Sequence, residues 1–168
     1  MEFLIKKAKE EDLPALVDIY TSAFERHNIF ERSAEEVMQY LRTLNGDILI
    51  AVEGGVIGGV VLKRKDKDRT ASHTVWKFNH LAVKKDYQGK GVAKKLLVSA
   101  ENEIREKINE GRFKTAKIEV SVSENEESAL ELYYGLGFEK EGMLKSHYRY
   151  GEKVNILGKE IIGEKSKS

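Results

Sequence analysis

The chain has 168 residues, of which 40% are hydrophobic and 34% are charged, enough for one packed core beneath a charged surface. The 29 basic and 28 acidic residues nearly cancel to a net charge of +1, and most Lys and Arg lie close to Glu or Asp, which argues against a nucleic-acid partner. The absence of cysteine excludes disulfides and thiolate sites, and the four histidines lack metal-ligand spacing, so no metal is expected.

The N-terminal part of the chain predicts a strand and two helices. Residues 3–8 predict a short strand. The apolar run within Met1 to Lys6 is too short for a signal peptide, and no stretch approaches the roughly 20 apolar residues of a membrane span. Apolar residues recur at helical spacing from Leu13 to Phe24, and Ser33 opens a second helix with a capping-box pattern. The intervening segment, His27 to Arg32, is predicted to be a loop. We therefore expect a cytoplasmic protein with no membrane partner.

The middle of the chain predicts a hairpin, a longer strand and a long helix. The turn Glu53-Gly54-Gly55 between two aliphatic runs is typical of a β-hairpin, and the charged tract Lys63 to Arg69 either extends its second strand or forms an exposed turn. Gly111 stands where a glycine ends a helix. The predicted elements are strands at 48–52, 56–62 and 74–83 and a helix from Gly91 to Glu110.

The C-terminal part predicts a strand, a short helix and a final pair of strands around Gly151. These elements are a strand at 116–122, a helix at 126–134, and strands at 138–150 and 154–162. The whole order, β-α-α-β-β-β-α-β-α-β-β, contains no internal repeat or linker. We therefore expect one mixed α/β domain over residues 1–163, followed by a polar tail at 164–168.

The turn between the long strand and the long helix, Gln88-Gly89-Lys90-Gly91-Val92-Ala93, can hold a phosphate. A helix N-terminus offers backbone N–H groups without partners and a partial positive charge, and glycine lets an anion approach them. Lys94 occupies the third glycine position of a dinucleotide loop, and Gly91 stands where a P-loop has Ser or Thr, so neither NAD nor ATP is favoured. A simple tight turn is the alternative interpretation.

Two motifs resemble those of the GCN5-related N-acetyltransferase (GNAT) superfamily. The first comprises the strand Phe78-Asn79-His80-Leu81-Ala82-Val83 and the following Gln-x-x-Gly-x-Ala turn, and the second is Ala129-Leu130-Glu131-Leu132-Tyr133-Tyr134-Gly135-Leu136-Gly137-Phe138. The start of the chain also looks like a family opening, so the resemblance covers about residues 2–162. It implies the GNAT fold, a mostly antiparallel sheet with splayed strands and about four helices.

The resemblance implies a coenzyme A site on the strand and the turn. The pantetheine arm would pair with the backbone of Leu81, Ala82 and Val83, as an added strand does. Asn125 stands where the family often has an Asn that reaches coenzyme A, but it lies one residue further from Ala129 than usual, and capping of the helix is its alternative role. The pyrophosphate would lie on the amides of Gln88, Gly89, Lys90, Gly91, Val92, Ala93 and Lys94.

The resemblance also implies catalytic residues. Tyr133 would be the acid beside the sulfur of coenzyme A, since a phenol with a pKa of about 10 stays protonated at neutral pH and can serve a thiolate leaving group. Its neighbour Tyr134 lies about 100° away around the helix and is interpreted as packing or surface. Glu119, within a strand, is the candidate base. His80 competes with it, because the pKa of an unperturbed histidine lies near 6.5.

The implied activity is acetyl transfer from acetyl-CoA to a primary amine in a ternary complex. The acceptor would be a small polyamine-like molecule or a protein N-terminal or lysine amine, with specificity set by His27 to Arg32 and Lys145 to Lys153. Dimers are common in the family, so a homodimer is possible. The alternatives are a non-catalytic acyl-CoA sensor, which would lack the acid, and a generic interaction domain, which would bind no coenzyme A.

Overall fold

The computed structural model describes residues 2–23, 33–65 and 72–163, and its elements confirm the predicted mixed α/β class. No helix among these residues is long and apolar enough to cross a membrane. The predicted loop at 27–32, residues 66–69 of the charged tract and the tail at 164–168 lie outside the described ranges. The strands are β1 Leu4–Lys7, β2 Gly46–Val52, β3 Val56–Arg64, β4 His73–Val83, β5 Thr115–Ser123, β6 Glu139–Lys145 and β7 Lys153–Ile162; the helices are α1 Leu13–Ala23, α2 Ala34–Arg42, α3 Val92–Asn109 and α4 Glu127–Gly135.

The seven strands form a sheet in the order β1-β2-β3-β4-β5-β7-β6, which confirms the predicted mostly antiparallel arrangement. The pairs β1–β2, β2–β3, β5–β7 and β6–β7 are antiparallel, and β4 pairs with β5 in parallel. The parallel register runs from His73↔Thr115 to Lys77↔Glu119. β4 continues past the last of these pairs to Val83.

By its internal contacts the chain divides into two compact units, of which the first comprises Met1–Lys63 and Asn79–Asn102. The apolar faces of α1 and α2 form its core together with β2 and β3, because their apolar residues recur at helical spacing. The predicted cap of α2 is confirmed, since Ser33 Oγ accepts a hydrogen bond from the backbone N–H of Glu36 at 3.2 Å. Buried members of this core include Leu16, Tyr20, Val37, Ile50 and Val61.

The second unit comprises Arg64–Phe78 and Glu103–Ser168. Along β5 every second side chain from Ala116 to Val122 is buried, as expected for a strand with one face on a core. Gly111, with φ of 82°, follows the end of α3 as predicted, and the N–H of Arg112 bonds to the carbonyl of Lys107 at 3.1 Å. The prediction that all elements form one domain stays a prediction.

The last pair of strands differs from the prediction, which extended the first of them to Tyr150. β6 ends at Lys145, because Ser146 takes a left-handed conformation with φ of 50°. Its hydroxyl accepts a hydrogen bond from the N–H of Gly151 at 2.9 Å and closes a wide connection to β7. Tyr150 lies in this connection and is fully exposed, so the predicted strand was several residues too long.

Candidate functional site

The turn between β4 and α3 has the backbone that the sequence predicts. A short 3-10 turn at Lys85–Tyr87 leads into it, and Gly89 and Gly91 have φ of 75° and 82°. Residues with a Cβ rarely adopt this conformation, so glycine is favoured at both positions. The first α-helical hydrogen bond joins the N–H of Lys95 to the carbonyl of Gly91 at 3.1 Å, and buried Val92 anchors the helix start.

The backbone amides at the start of α3 are suited to binding an anion. The N–H groups of the first turn have no carbonyl acceptor inside the helix, and the helix dipole adds a partial positive charge there. The residues from Gln88 to Gly91 and Lys94 are exposed, so a ligand can reach this backbone. The donor set of amides and lysines fits a pyrophosphate.

Side chains around the turn brace it. The amide of Gln88 donates a hydrogen bond to the backbone carbonyl of Val83 at 3.1 Å and so joins the turn to the strand end. A hydrogen bond with Glu53 raises the pKa of half-buried Tyr87. The Lys90 ammonium lies 5.9 Å from the centroid of the Tyr87 ring. Lys90 is an exposed charge within the turn.

The end of β4 has buried side chains, and its backbone continues to Val83, past the last pair with β5 at Lys77. The side chains of Ala82 and Val83 are buried and that of Leu81 is half-buried. The N–H of Lys84 bonds to the carbonyl of Ile57 at 2.8 Å, which fixes the strand end against β3.

His80, next to these residues, occupies an unusual position. It has φ of 55°, a conformation that costs a non-glycine residue about 1–2 kcal/mol. Its Nε2 lies 3.0 Å from the hydroxyl of Tyr40 on α2, and the Tyr20 ring of α1 meets its ring edge-on at 6.0 Å between centroids. Sequence reasoning missed Tyr40, because a contact across 40 residues leaves no local signal.

Tyr133 lies on α4 in the second unit and is buried, with 5% of its surface exposed. Its ring packs edge-on against Phe138 at 5.3 Å between centroids, so the Gly-Phe end of the motif supports the tyrosine. Burial, with a smaller contribution from the charge of Glu126, raises the pKa of Tyr133 and keeps its hydroxyl protonated. Neighbouring Tyr134 is exposed, which agrees with its interpretation as a surface residue.

Glu119 lies on β5 of the second unit within a cluster of charges. Lys65 donates a hydrogen bond to Glu119, and Lys117 approaches within 3.5 Å and also pairs with Glu141. Burial alone would raise the pKa of Glu119, but the hydrogen bond and charge of Lys65, joined by Lys117, outweigh it and lower the pKa. The carboxylate is therefore a weaker base than a free glutamate.

Asn125 is exposed just before α4. Its backbone N–H donates to the hydroxyl of Ser123 at 3.3 Å, and Glu126 occupies the N-cap position of the helix. The alternative role of Asn125 as the cap is therefore wrong, because the helix begins one residue later than capping by Asn125 requires. Among the described residues, no group of three or more His, Asp or Glu side chains could hold a metal ion.

Comparison with protein-family models matches residues 45–140 to the "Acetyltransferase (GNAT) domain". The match covers more than half of the chain and includes the turn, β4, β5 and α4. No curated protein matches the chain in sequence.

Comparison with solved structures finds the same fold in proteins of low sequence identity. A ribosomal-protein-alanine N-acetyltransferase from Brucella melitensis is 24% identical with a TM-score of 0.76, covering 95% of this chain and 99% of its own. The ribosomal-protein-S18-alanine N-acetyltransferase from Escherichia coli is 20% identical with a TM-score of 0.77, covering 97% of each chain. A putative acetyltransferase from Salmonella typhimurium, solved with its cofactor acetyl-CoA, is 17% identical with a TM-score of 0.73, covering 94% of this chain and 92% of its own.

Proposed function

Because the chain belongs to the GNAT acetyltransferase family, we propose that it transfers the acetyl group of acetyl-CoA to a primary amine by direct attack in a ternary complex. The observation that carries this proposal is the two-glycine turn at the start of α3, in a chain whose family match spans that turn. The general class, an acetyl-CoA-dependent N-acetyltransferase, follows from the family.

The proposed coenzyme A site extends from the turn back along β4. The amides from Gln88 to Lys94 would hold the pyrophosphate, and the backbone of Leu81 to Val83 would pair with the pantetheine arm. The exposure of Gln88 to Gly91 and of Lys94 supports this assignment, and so does the continuation of β4 past its last pair with β5. A contact of Asn125 with coenzyme A stays a prediction, supported by its exposure.

The proposed acid is Tyr133. Bound acetyl-CoA supplies a thioester whose sulfur leaves as the amine bonds to the acetyl carbon. Transfer from an unperturbed phenol to a thiolate of pKa about 8.5 is uphill by about 2 kcal/mol, and the raised pKa of Tyr133 increases that difference. Tyr133 would therefore first stabilise the developing thiolate by donating a hydrogen bond, which needs a protonated hydroxyl.

The acceptor is a primary amine, either a small polyamine-like molecule or a protein N-terminal or lysine amine. Neutralising a lysine-like amine at pH 7 costs roughly 4.6 kcal/mol, against about 1 kcal/mol for an α-amino group. A polyamine or lysine acceptor therefore needs a stronger proton acceptor in the site than a protein N-terminus does. We propose that Lys145 to Lys153 contribute to recognition, since this connection presents Tyr148 and Tyr150 to solvent.

The proton acceptor has two candidates in the chain. Glu119 stays a prediction, although its ion pairs with Lys65 and Lys117 lower its basicity. His80 is the second, and its surroundings are considered below. A cytoplasmic location, the absence of nucleic-acid, membrane and metal partners, and a possible homodimer also stay predictions.

The test is a panel of amines assayed for thiol release from acetyl-CoA, with spermidine, lysine and peptides carrying free N-termini as acceptors. Amine-dependent release identifies the acceptor class, and a reaction without amine measures hydrolysis. If acetyl-CoA raises the melting temperature but no amine increases thiol release, the chain is the acyl-CoA sensor rather than the enzyme. If acetyl-CoA has no effect on the melting temperature, coenzyme A binding itself is excluded.

A further inference from the structure

The backbone conformation and the burial pattern of β4 both change at His80. Burial alternates along the strand from Thr74 to Phe78, and the alternation stops over the next three residues, which are all half-buried. The left-handed conformation of His80 interrupts the pleat at this point. Such strain persists only where surrounding contacts fix it, and it is concentrated at functional sites.

Two helices supply the contacts that hold the imidazole. Tyr40 on α2 lies with its hydroxyl 3.0 Å from Nε2 of His80, and their rings meet edge-on at 5.6 Å between centroids. The Tyr20 ring on α1 also meets the imidazole edge-on, at 6.0 Å between centroids. Burial, with a smaller contribution from nearby Tyr40, raises the pKa of Tyr20 and keeps its hydroxyl protonated. The imidazole and the Tyr40 hydroxyl thus form a hydrogen-bonded pair between two half-buried residues.

We propose that Tyr40 and His80 act together as the proton acceptor for the amine: the Tyr40 oxygen receives a proton from the substrate ammonium while its own proton passes to Nε2 of His80. This inference rests on the proposed function. The substrate N–H bond breaks and a new N–H bond forms on the imidazole, which leaves a neutral amine and an imidazolium. The imidazolium then releases its proton to water, and the neutral amine has the lone pair needed for attack.

The position of His80 along β4 is consistent with this role. The proposed pyrophosphate site lies after the C-terminal end of β4, so an arm that pairs with Leu81 to Val83 runs from that end back along the strand. His80 is the next residue in this direction. The end of the arm, which carries the thioester, would therefore come closest to His80 among the residues of β4.

The chemistry of the two candidate bases also differs. An unperturbed imidazole, with a pKa of about 6.5, is about a hundredfold more basic than an unperturbed glutamate carboxylate, with a pKa of about 4.3. The ion pairs of Glu119 with Lys65 and Lys117 lower its pKa further. The imidazole Nε2 of His80, by contrast, lies 3.0 Å from the Tyr40 hydroxyl, through which a proton can be relayed.

The test compares Tyr40→Phe, His80→Asn and the double variant with His73→Asn as the matched control. Asn tolerates the left-handed conformation at position 80, and His73 starts the same strand, exposed and hydrogen-bonded to Thr115 at 2.8 Å. We expect each single variant to lower kcat by about a hundredfold, with the acetyl-CoA-induced thermal shift retained. The double variant should lose no more than either single one, because the pair acts as a unit.

A second readout is independent of turnover. In the NMR spectrum of protein that contains 15N-labelled histidine, the ring signals that disappear in His80→Asn belong to His80. Tyr40→Phe should shift these signals, whereas His73→Asn should leave them unchanged. Single variants within twofold of wild-type kcat, multiplicative losses in the double variant, or loss of the thermal shift in His80→Asn would each overturn the pair as proton acceptor. If the wild-type protein transfers acetyl to no amine, the proposed function itself is overturned, and the role of the Tyr40–His80 pair is overturned with it.

Discussion

The Tyr133 hydroxyl is the smallest feature on which the proposed reaction depends. Tyr133→Phe removes one oxygen from a buried ring and leaves the packing against Phe138 in place. We expect kcat to fall by about 10²- to 10³-fold, since the leaving thiolate loses its donor, while KM for acetyl-CoA changes little. Steady-state kinetics with the best amine of the panel measures both constants.

Tyr134→Phe is the matched control for this substitution. The two tyrosines are adjacent on α4, and Tyr134 is exposed. We therefore expect Tyr134→Phe to retain wild-type kcat within about twofold. Equal kinetics of the Tyr133 and Tyr134 variants would remove Tyr133 as the donor.

The charge cluster around Glu119 makes a prediction about stability and pH. The pKa of Glu119 is lowered in the folded protein, so its ion pairs contribute stability above the pKa of the unfolded state, about 4.3. That contribution disappears as the pH falls through the lower folded pKa. Glu119→Gln should therefore melt below the wild type at pH 7, with the difference shrinking as the pH falls below about 4.

Melting curves from pH 3 to 7 measure this difference. Glu131→Gln is the control, because Glu131 is an exposed residue on α4. We expect its melting temperature to follow the wild type throughout. A Glu119→Gln difference that is the same at all pH values would contradict the role of the carboxylate charge.

At the scale of elements, α3 carries two glycines with the same backbone conformation at its two ends. Gly91 precedes the helix and Gly111 follows it, each with φ of 82°. A Cβ built at either position meets nothing within 4 Å, so alanine costs only conformational strain, about 1–2 kcal/mol. Gly91→Ala should also raise KM for acetyl-CoA by tenfold or more, because the strain distorts the proposed pyrophosphate turn, whereas Gly111→Ala should not.

Melting temperature and KM measured on both variants separate stability from binding. Similar losses of stability with different KM values place the anion at the start of α3. An unchanged KM in Gly91→Ala would contradict the proposed pyrophosphate site.

Elements with strong local signals could be predicted from the sequence. The side-chain cap of Ser33, the hairpin at Gly54 and the glycine after α3 all depend on neighbours within a few residues, and the structure confirms them. The glycine conformations of the turn from Gln88 to Ala93, the proposed phosphate site, are equally local features. The end of β6 could not be predicted, because a left-handed serine at position 146 has no signature in a run of β-compatible residues.

The surroundings of the two candidate bases could not be predicted either. The partner of His80, Tyr40, lies 40 residues away, and the partner of Glu119, Lys65, lies 54 residues away. Such contacts depend on how strands and helices pack, which spacing along the chain does not encode. The sequence therefore predicted the residue types of a site and left the choice between the bases open.

At the scale of the whole molecule, acetyl-CoA bound at the proposed site should raise the free energy of unfolding of the protein. A ligand that binds only the folded state raises the free energy of unfolding by about 2.7 kcal/mol at 100 times its Kd. For a protein of this size, each kcal/mol moves the melting temperature by about 2–4 °C. Saturating acetyl-CoA should thus raise the melting temperature by about 5–11 °C.

Adenosine, which lacks the pyrophosphate and the pantetheine arm, is the control ligand for this shift. We expect no shift with adenosine, a similar shift with free coenzyme A, and a smaller one in Gly91→Ala than in Gly111→Ala, because the pyrophosphate is proposed to bind the amides after Gly91. Differential scanning fluorimetry over a range of ligand concentrations gives these values and the apparent Kd. Equal shifts with adenosine and acetyl-CoA would place the binding energy in the nucleoside and remove the turn at the start of α3 as the principal anchor.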